Sequence, residues 1–170
     1  MTFYESVGYL IGAEKNPDAQ LEMMKEALGI HLFEFQNIIK IAEGNVSVML
    51  DEDGKAKIIF FLKINEMLAT GIGQQYALLL QELSPTFNNL YLFYSKEVNS
   101  IVLEKGKNLL NYMTVKAMRS VKKEVIKIYL KYLQKCNNLN TDQAKYILDT
   151  FIFPLGNLLK DFEECMPETK

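Results

Sequence analysis

Apolar residues recur along most of this 170-residue chain at intervals of three and four, and seldom at two, which is the period of an amphipathic helix and not of a strand. Phe3, Val7, Leu10 and Ile11 predict a short first helix that ends before Asn16-Pro17, because proline cannot donate to a continuing backbone ladder. A second helix follows from about Ala19, with the stripe Leu21, Met24, Leu28, Leu32, Phe35, Ile39 and Ala42, and Gly44-Asn45 supplies its stop. The Asp51-Glu52-Asp53-Gly54 turn leads into a third helix that buries Ile58, Phe61, Leu62, Leu68 and Ile72, its leading acids complementing the helix dipole.

Gly71 and Gly73 predict a break after that helix. A fourth begins over Tyr76 to Leu83, kinks or restarts at Ser84-Pro85 within one long element, and continues through Leu90, Phe93, Tyr94, Val98, Ile101 and Val102 to Gly106. The fifth runs from about Leu109 to Lys135. A polar turn, Asn137 to Thr141, opens a sixth helix capped by Thr141 and carrying Tyr146, Ile147, Phe151, Leu155, Leu158 and Phe162, with a kink or new start at Pro154. Long amphipathic helices with short connections become antiparallel neighbours, and successive pairs recur here at roughly the 40 to 47 residues of HEAT or armadillo repeats. The pattern predicts an all-α fold, a HEAT-repeat α-solenoid segment of about six antiparallel helices. A closed helical bundle shares the same periodicity and is the alternative.

Composition places the chain among folded domains: 49% of residues are hydrophobic and 24% charged, enough apolar side chains to form a core. No run approaches the roughly 18 apolar residues of a membrane span, and Met1-Thr2-Phe3-Tyr4-Glu5 lacks the basic start of a signal peptide, so a soluble intracellular protein is expected. Two cysteines, Cys136 and Cys165, are too few to staple a domain of this size and read as free thiols. No enzyme signature survives inspection. His31 is the only histidine and has no partner for a metal or a base pair. Asp51, Asp53 and Gly54 resemble part of a calcium loop, but Leu62 stands where the bidentate glutamate belongs. Gly71-Ile72-Gly73 closes a helix and lacks the third glycine of a phosphate loop, and the Asn45-Val46-Ser47 sequon has no secretory context. No catalytic residue, cofactor or metal ligand is expected.

Charge changes the picture. The net charge is −2, yet Val115 to Cys136 holds Lys116, Arg119, Lys122, Lys123, Lys127, Lys131 and Lys135 against the single acid Glu124. At 100° per residue, Lys116, Arg119, Lys123, Lys127 and Lys131 fall on one stripe, opposite an arc of Val115, Met118, Val121, Val125, Ile128, Tyr129 and Tyr132. A solvated helix face is the plainer reading of such a stripe, and docking of an acidic protein surface is the functional one. Nucleic acid fits poorly, because no aromatic residues alternate with the cations for base stacking and the chain as a whole is acidic.

Thr2-Phe3-Tyr4-Glu5-Ser6-Val7-Gly8-Tyr9-Leu10-Ile11-Gly12-Ala13 resembles a segment of the nuclear export receptors of the karyopherin-β (importin-β-like) superfamily that read leucine-rich export signals. Met118-Arg119-Ser120-Val121-Lys122-Lys123-Glu124 is similar to that family's basic helix at about the same distance downstream, and Phe151-Ile152-Phe153-Pro154-Leu155 is a weaker third match. The resemblance covers essentially the whole chain and is loosest from Leu28 to Lys57. It implies a ring-like HEAT solenoid several times longer, of which residues 1–170 would be one excised segment from the C-terminal half. That segment would hold the last helix of one repeat, two complete repeats and the first helix of the next, with Met1 an added start codon and self-association through the exposed end faces. It further implies a receptor that is not an enzyme, carries proteins with export signals out of the nucleus with the GTP form of Ran, passes nuclear pore proteins, and shuttles between nucleus and cytoplasm. The family's cargo groove and reactive cysteine lie before Thr2, so neither Cys136 nor Cys165 takes that role. The second helix of each repeat lines the inner surface around Ran, which would turn Lys116, Arg119, Lys123, Lys127 and Lys131 inward. A reading of another class is a free-standing helical-bundle adaptor that docks an acidic protein partner through its basic helix.

Overall fold

The computed structural model describes residues 2–104, 109–154 and 156–157, and every regular element among them is helical. Helix α1 spans Phe3–Gly12. Helix α2, Pro17–Ala42, starts slightly earlier than its apolar stripe: the Asn16 side chain accepts from the backbone N–H groups of Asp18 at 3.0 Å and Ala19 at 3.1 Å. Pro17 fits the first helical position, where its missing N–H would have no partner in any case. Gly29 interrupts α2 with φ 46° and ψ −124°, a conformation open to glycine, so the helix is kinked there. A single turn, α3 (Ser47–Leu50), was too short to show in the periodicity. Helix α4, Glu52–Ile72, is capped by Asp51, whose Oδ1 accepts from the Gly54 N–H at 2.6 Å. The acidic residues expected to form a turn before the helix are therefore its cap and first turn.

Two further expectations need correction. Gly71 does not break α4, which continues to Ile72; only Gly73, at φ 78°, ends it and opens a 3-10 turn over Gly73–Tyr76. Helix α5, Ala77–Glu104, holds Pro85 inside one continuous element, and α6 spans Leu109–Lys135. Helix α7, Thr141–Ile147, is capped by Asn140 and not by Thr141: Asn140 Oδ1 accepts from the Gln143 N–H at 2.9 Å, and Gln143 Oε1 accepts from the Asn140 N–H at 3.1 Å. A wider π turn, Leu148–Ile152, follows just before Pro154, whose ring would crowd the carbonyl four residues back in a regular helix. The expected positions of Gly106, Leu155, Leu158 and Phe162 lie outside the described residues.

Helix α4 is the centre of the packing. It lies closely against α1 on one flank and α6 on the other and packs across onto α2, while α6 also packs closely onto α5. The helices α1, α4 and α6 thus form one tight layer. Helices α2 and α5 form the other, and they touch lightly around a groove of about 260 Å³ lined by Ile39, Ala42, Met49, Leu90 and Phe93. Rods spaced closely in one layer and widely in the next make a slab that curves with the tight layer inside. The core is a band between the layers, from Ile11 in α1 to Phe151 beyond α7, which is a HEAT-like arrangement and not a bundle around one centre.

Backbone proximity sets the tight layer. A Cβ on Gly71 would meet the Glu5 carbonyl oxygen and come within 2.9 Å of the Gly8 carbonyl carbon; one on Gly8 would lie 3.0 Å from Gly71 Cα. Across the slab, Phe35 of α2 stacks on Phe61 of α4 at 4.2 Å and 15°, and Phe87 of α5 meets Phe35 edge-on at 6.2 Å, so three helices from both layers share one aromatic junction. Several polar groups inside are paired: the Tyr76 hydroxyl donates to Asn65 Oδ1 at 2.8 Å, Asn65 Nδ2 donates to the Phe61 carbonyl at 2.9 Å, and the Tyr94 hydroxyl donates to the Met49 carbonyl at 2.6 Å. Burial pushes the Tyr76 and Tyr94 hydroxyls far above their ordinary titration range, so both remain donors at any working pH.

The glycine contact yields a clear expectation. Gly71→Ala gains about 1 kcal/mol of helix propensity, but its methyl must push α1 off α4, and overpacking of this kind costs roughly 1–3 kcal/mol before the lost docking of α1 is added. Urea denaturation is expected to show a net loss of stability for Gly71→Ala, while Gly44→Ala, whose methyl would come no nearer than 3.9 Å to a neighbouring atom, leaves the midpoint within experimental scatter.

Candidate functional site

The basic segment lies on α6, and its buried side follows the helical phase: Val115, Met118, Val121, Val125, Ile128, Tyr129 and Tyr132 are all buried. Tyr129 donates its hydroxyl to Asn88 Oδ1 of α5 at 2.7 Å, and Tyr132 meets Phe151 edge-on at 5.2 Å. These contacts fix the rotation of α6 and so decide where its cations point.

The five stripe residues do not share one environment. Lys116 and Lys123 are exposed. Arg119 is half-buried, with its Nε enclosed and without a hydrogen-bond partner. Lys127 is tied down: its Nζ lies 2.9 Å from Glu124 Oε1 and 3.9 Å from Glu66 Oε2 of α4. Lys131 is half-buried and acts electrostatically on the same Glu66. The far half of the stripe therefore leans onto α4, and the open cationic surface narrows to the part around Lys116 and Lys123.

Charge near Glu66 follows from these distances. Burial lifts the Glu66 carboxyl above its ordinary value of 4.5, Lys127 pulls it back, and the neighbouring Glu124 carboxyl lifts it again. The hydrogen bond to Glu124 holds the Lys127 ammonium above its ordinary value, with burial opposing.

Among the described residues three charged side chains, Lys55, Lys122 and Glu124, lie in the core, and helical phase marks one of them. Lys122 is buried at 1% exposure with its Nζ 4.8 Å from the centre of the Tyr91 ring. Its phase lies between those of Val115 and Tyr129, inside the apolar arc, so helical geometry already marked it as inward-facing. Lys55 is equally buried and pairs with Glu52 at 2.7 Å, and no pattern in the sequence marks that.

The remaining candidates have structural employment. His31 sits 3.7 Å from Glu34 and edge-on to Phe60 at 4.9 Å. Asp51 caps α4, and Asp53 pairs with Lys57 at 2.8 Å. Cys136 is half-buried, its Sγ donating to the Tyr132 carbonyl at 3.4 Å, and burial pushes the thiol up, the opposite of an activated nucleophile. Cys165 lies outside the described residues. Among the described residues no group of three or more His, Cys, Asp or Glu side chains is placed to hold a metal ion, and no helix is long and apolar enough to cross a membrane.

Stacked helix pairs with a banded core and a partly open basic face define a segment of a helical-repeat protein. A family model described as CRM1 C terminal matches residues 81–170. The chain belongs to that family. It is 26% identical over 170 residues to Protein EXPORTIN 1B of Arabidopsis thaliana, covering 99% of this chain and 15% of that protein. It is 26% identical over 165 residues to Exportin-1 of Drosophila melanogaster, and 24% identical over 170 residues to Exportin-1 of Dictyostelium discoideum, each again matched over 15% of its length. The chain thus spans about one seventh of the curated relatives it matches.

Adjacent lysines separate the two kinds of cation on α6. Lys122→Ala removes a buried stem and its contact with Tyr91, a loss on the order of 1–3 kcal/mol, whereas Lys123→Ala changes only the exposed surface. Thermal denaturation of the two variants side by side is expected to show a lowered midpoint for the first and none for the second.

Proposed function

We propose that the chain is a segment of a nuclear export receptor, which carries proteins with leucine-rich export signals out of the nucleus together with Ran-GTP and shuttles between nucleus and cytoplasm past nuclear pore proteins. The match of residues 81–170 to the CRM1 C-terminal family, with exportin relatives aligned along nearly the whole chain, carries this reading. In it the segment is scaffold: α1 is the last helix of one repeat, α2 with α4 and α5 with α6 are two complete repeats, and α7 begins the next. Exposed Phe3 and Leu10 on α1 and Phe153 beyond α7 support that register, since each leaves a large apolar side chain uncovered at an end of the stack. The receptor is a transport protein and not an enzyme.

The same reading gives α6 a partner. It belongs to the inner layer, and its exposed Lys116 and Lys123, with Arg119, Lys127 and Lys131 at their margin, form part of the Ran-facing surface. Attraction between such a surface and an acidic patch is screened within about 8 Å at physiological salt, so the contribution is one of encounter and orientation.

The test uses full-length receptor, Ran loaded with a non-hydrolysable GTP analogue, and an export-signal peptide. Reversing Lys116 and Lys123 to glutamate is expected to weaken assembly of the three-part complex several-fold at low salt, with the deficit shrinking as salt rises and the circular dichroism unchanged. Equal assembly by the reversed receptor at low salt would leave these lysines as an ordinary solvated face. For the 170-residue chain alone, sedimentation is expected to show self-association that Phe3→Ser with Leu10→Ser reduces.

A further inference from the structure

We propose that a proton on Glu66 bonds it to Glu124 across the seam between α4 and α6, making the inner layer a proton-sensitive latch that tightens on mild acidification and loosens when Glu66 ionises. This is independent of the transport reading. The Glu124 side chain is 6% exposed; its Oε1 accepts from Lys127 Nζ at 2.9 Å, while its Oε2 is enclosed without a hydrogen-bond partner. Glu66, 19% exposed and on the facing helix, lies within hydrogen-bonding reach of Glu124, and its Oε2 is 3.9 Å from the same Lys127. Lys127 therefore stands between a buried carboxyl group and a half-buried one, and Lys131 acts on Glu66 as well. A proton on Glu66 supplies the donor that Glu124 lacks: the O–H donates to Glu124, whose Oε2 has no other donor, and Lys127 keeps its bond to Oε1.

From α6, Lys127 and Lys131 act on Glu66, and on α4 Lys63 points to solvent one turn before it. Helix α1 brings Glu5, whose carbonyl abuts Gly71, more than a turn beyond Glu66. Helix α2 brings His31 and Glu34 near Phe60, more than a turn before Glu66, and Lys25, which pairs with Glu82 of α5 at 3.0 Å; α3 has no charged residue, and neither has the turn Gly73–Tyr76. Burial and the Glu124 carboxyl both favour the protonated form of Glu66, against Lys127.

The sign follows from proton counting. The folded chain holds a proton that the unfolded chain releases above about pH 4.5, so the latch is fully closed below that pH and opens as pH rises through the raised value of Glu66. One proton changes the folding constant by up to tenfold per pH unit within that window.

Two measurements on the 170-residue chain decide the matter. Carbon-detected nuclear magnetic resonance with labelled glutamate side chains, from pH 3.5 to 8, is expected to show Glu66 titrating above its ordinary value, with the Glu124 carboxyl signal moving at the same inflection. Urea denaturation is expected to show Glu66→Gln, whose amide donates to Glu124 without titrating, more stable than the wild type at pH 7.5, with the ratio of their folding constants falling by up to tenfold per unit as pH drops toward 4.5. Independent and ordinary titration of the two carboxyls, or a ratio that stays constant with pH, would overturn the proposal. Should Glu66→Gln fail to fold, the wild-type titration decides alone.

Discussion

Everything in this segment depends on α4 being enclosed from several directions. With α1 and α6 on its flanks and α2 across the slab, α4 buries Ile58, Phe61, Leu62, Ile64, Asn65, Leu68, Ala69, Gly71 and Ile72, about half of the helix circumference along its length. A helix so placed must solve two problems at once. It must let one neighbour approach at backbone distance, which Gly71 does by having no side chain, and it must satisfy any polar group carried inside, which Asn65 does through Tyr76 and the Phe61 carbonyl. Once these are met, α1 and α6 have fixed places, and α2 and α5 can only cover what remains.

Periodicity made the order of helices legible because each buries one stripe against a neighbour, and a stripe repeats in sequence. It did not reveal what a given glycine is for. Gly71 and Gly73 stand two residues apart, yet one supplies space inside a helix and the other a left-handed backbone at its end, and only the three-dimensional neighbour distinguishes them. The cap of α7 was legible in principle: Asn140 followed three residues later by Gln143 is the reciprocal capping pattern, and Thr141 simply stands beside it.

The basic helix shows the same division. Phase separates the buried arc from the cations, and it also places Lys122 within the arc. What phase cannot supply is the partner across the seam. Glu66 is 58 positions from Glu124 in sequence, and its pull on Lys127 and Lys131 arises from the α4–α6 crossing alone. A stripe that is uniform on a helical wheel is consequently divided in the fold into a free half and a neutralised half, and family membership says nothing about which half a given lysine joins.

The kink at Gly29 has a mechanical side. In a curved stack one layer behaves as the pinned leaf of a spring, and here that leaf is the row of α1, α4 and α6, where backbone contact through glycine fixes α1 on α4 and close packing holds α6 on the other flank. Elastic deformation must then be taken up by the opposite leaf, where α2 is jointed at Gly29 and separated from α5 by a groove. Widening or narrowing that groove changes the radius of the arc without sliding the tightly packed helices, so the loose layer sets the curvature and the row of α1, α4 and α6 keeps a constant pitch.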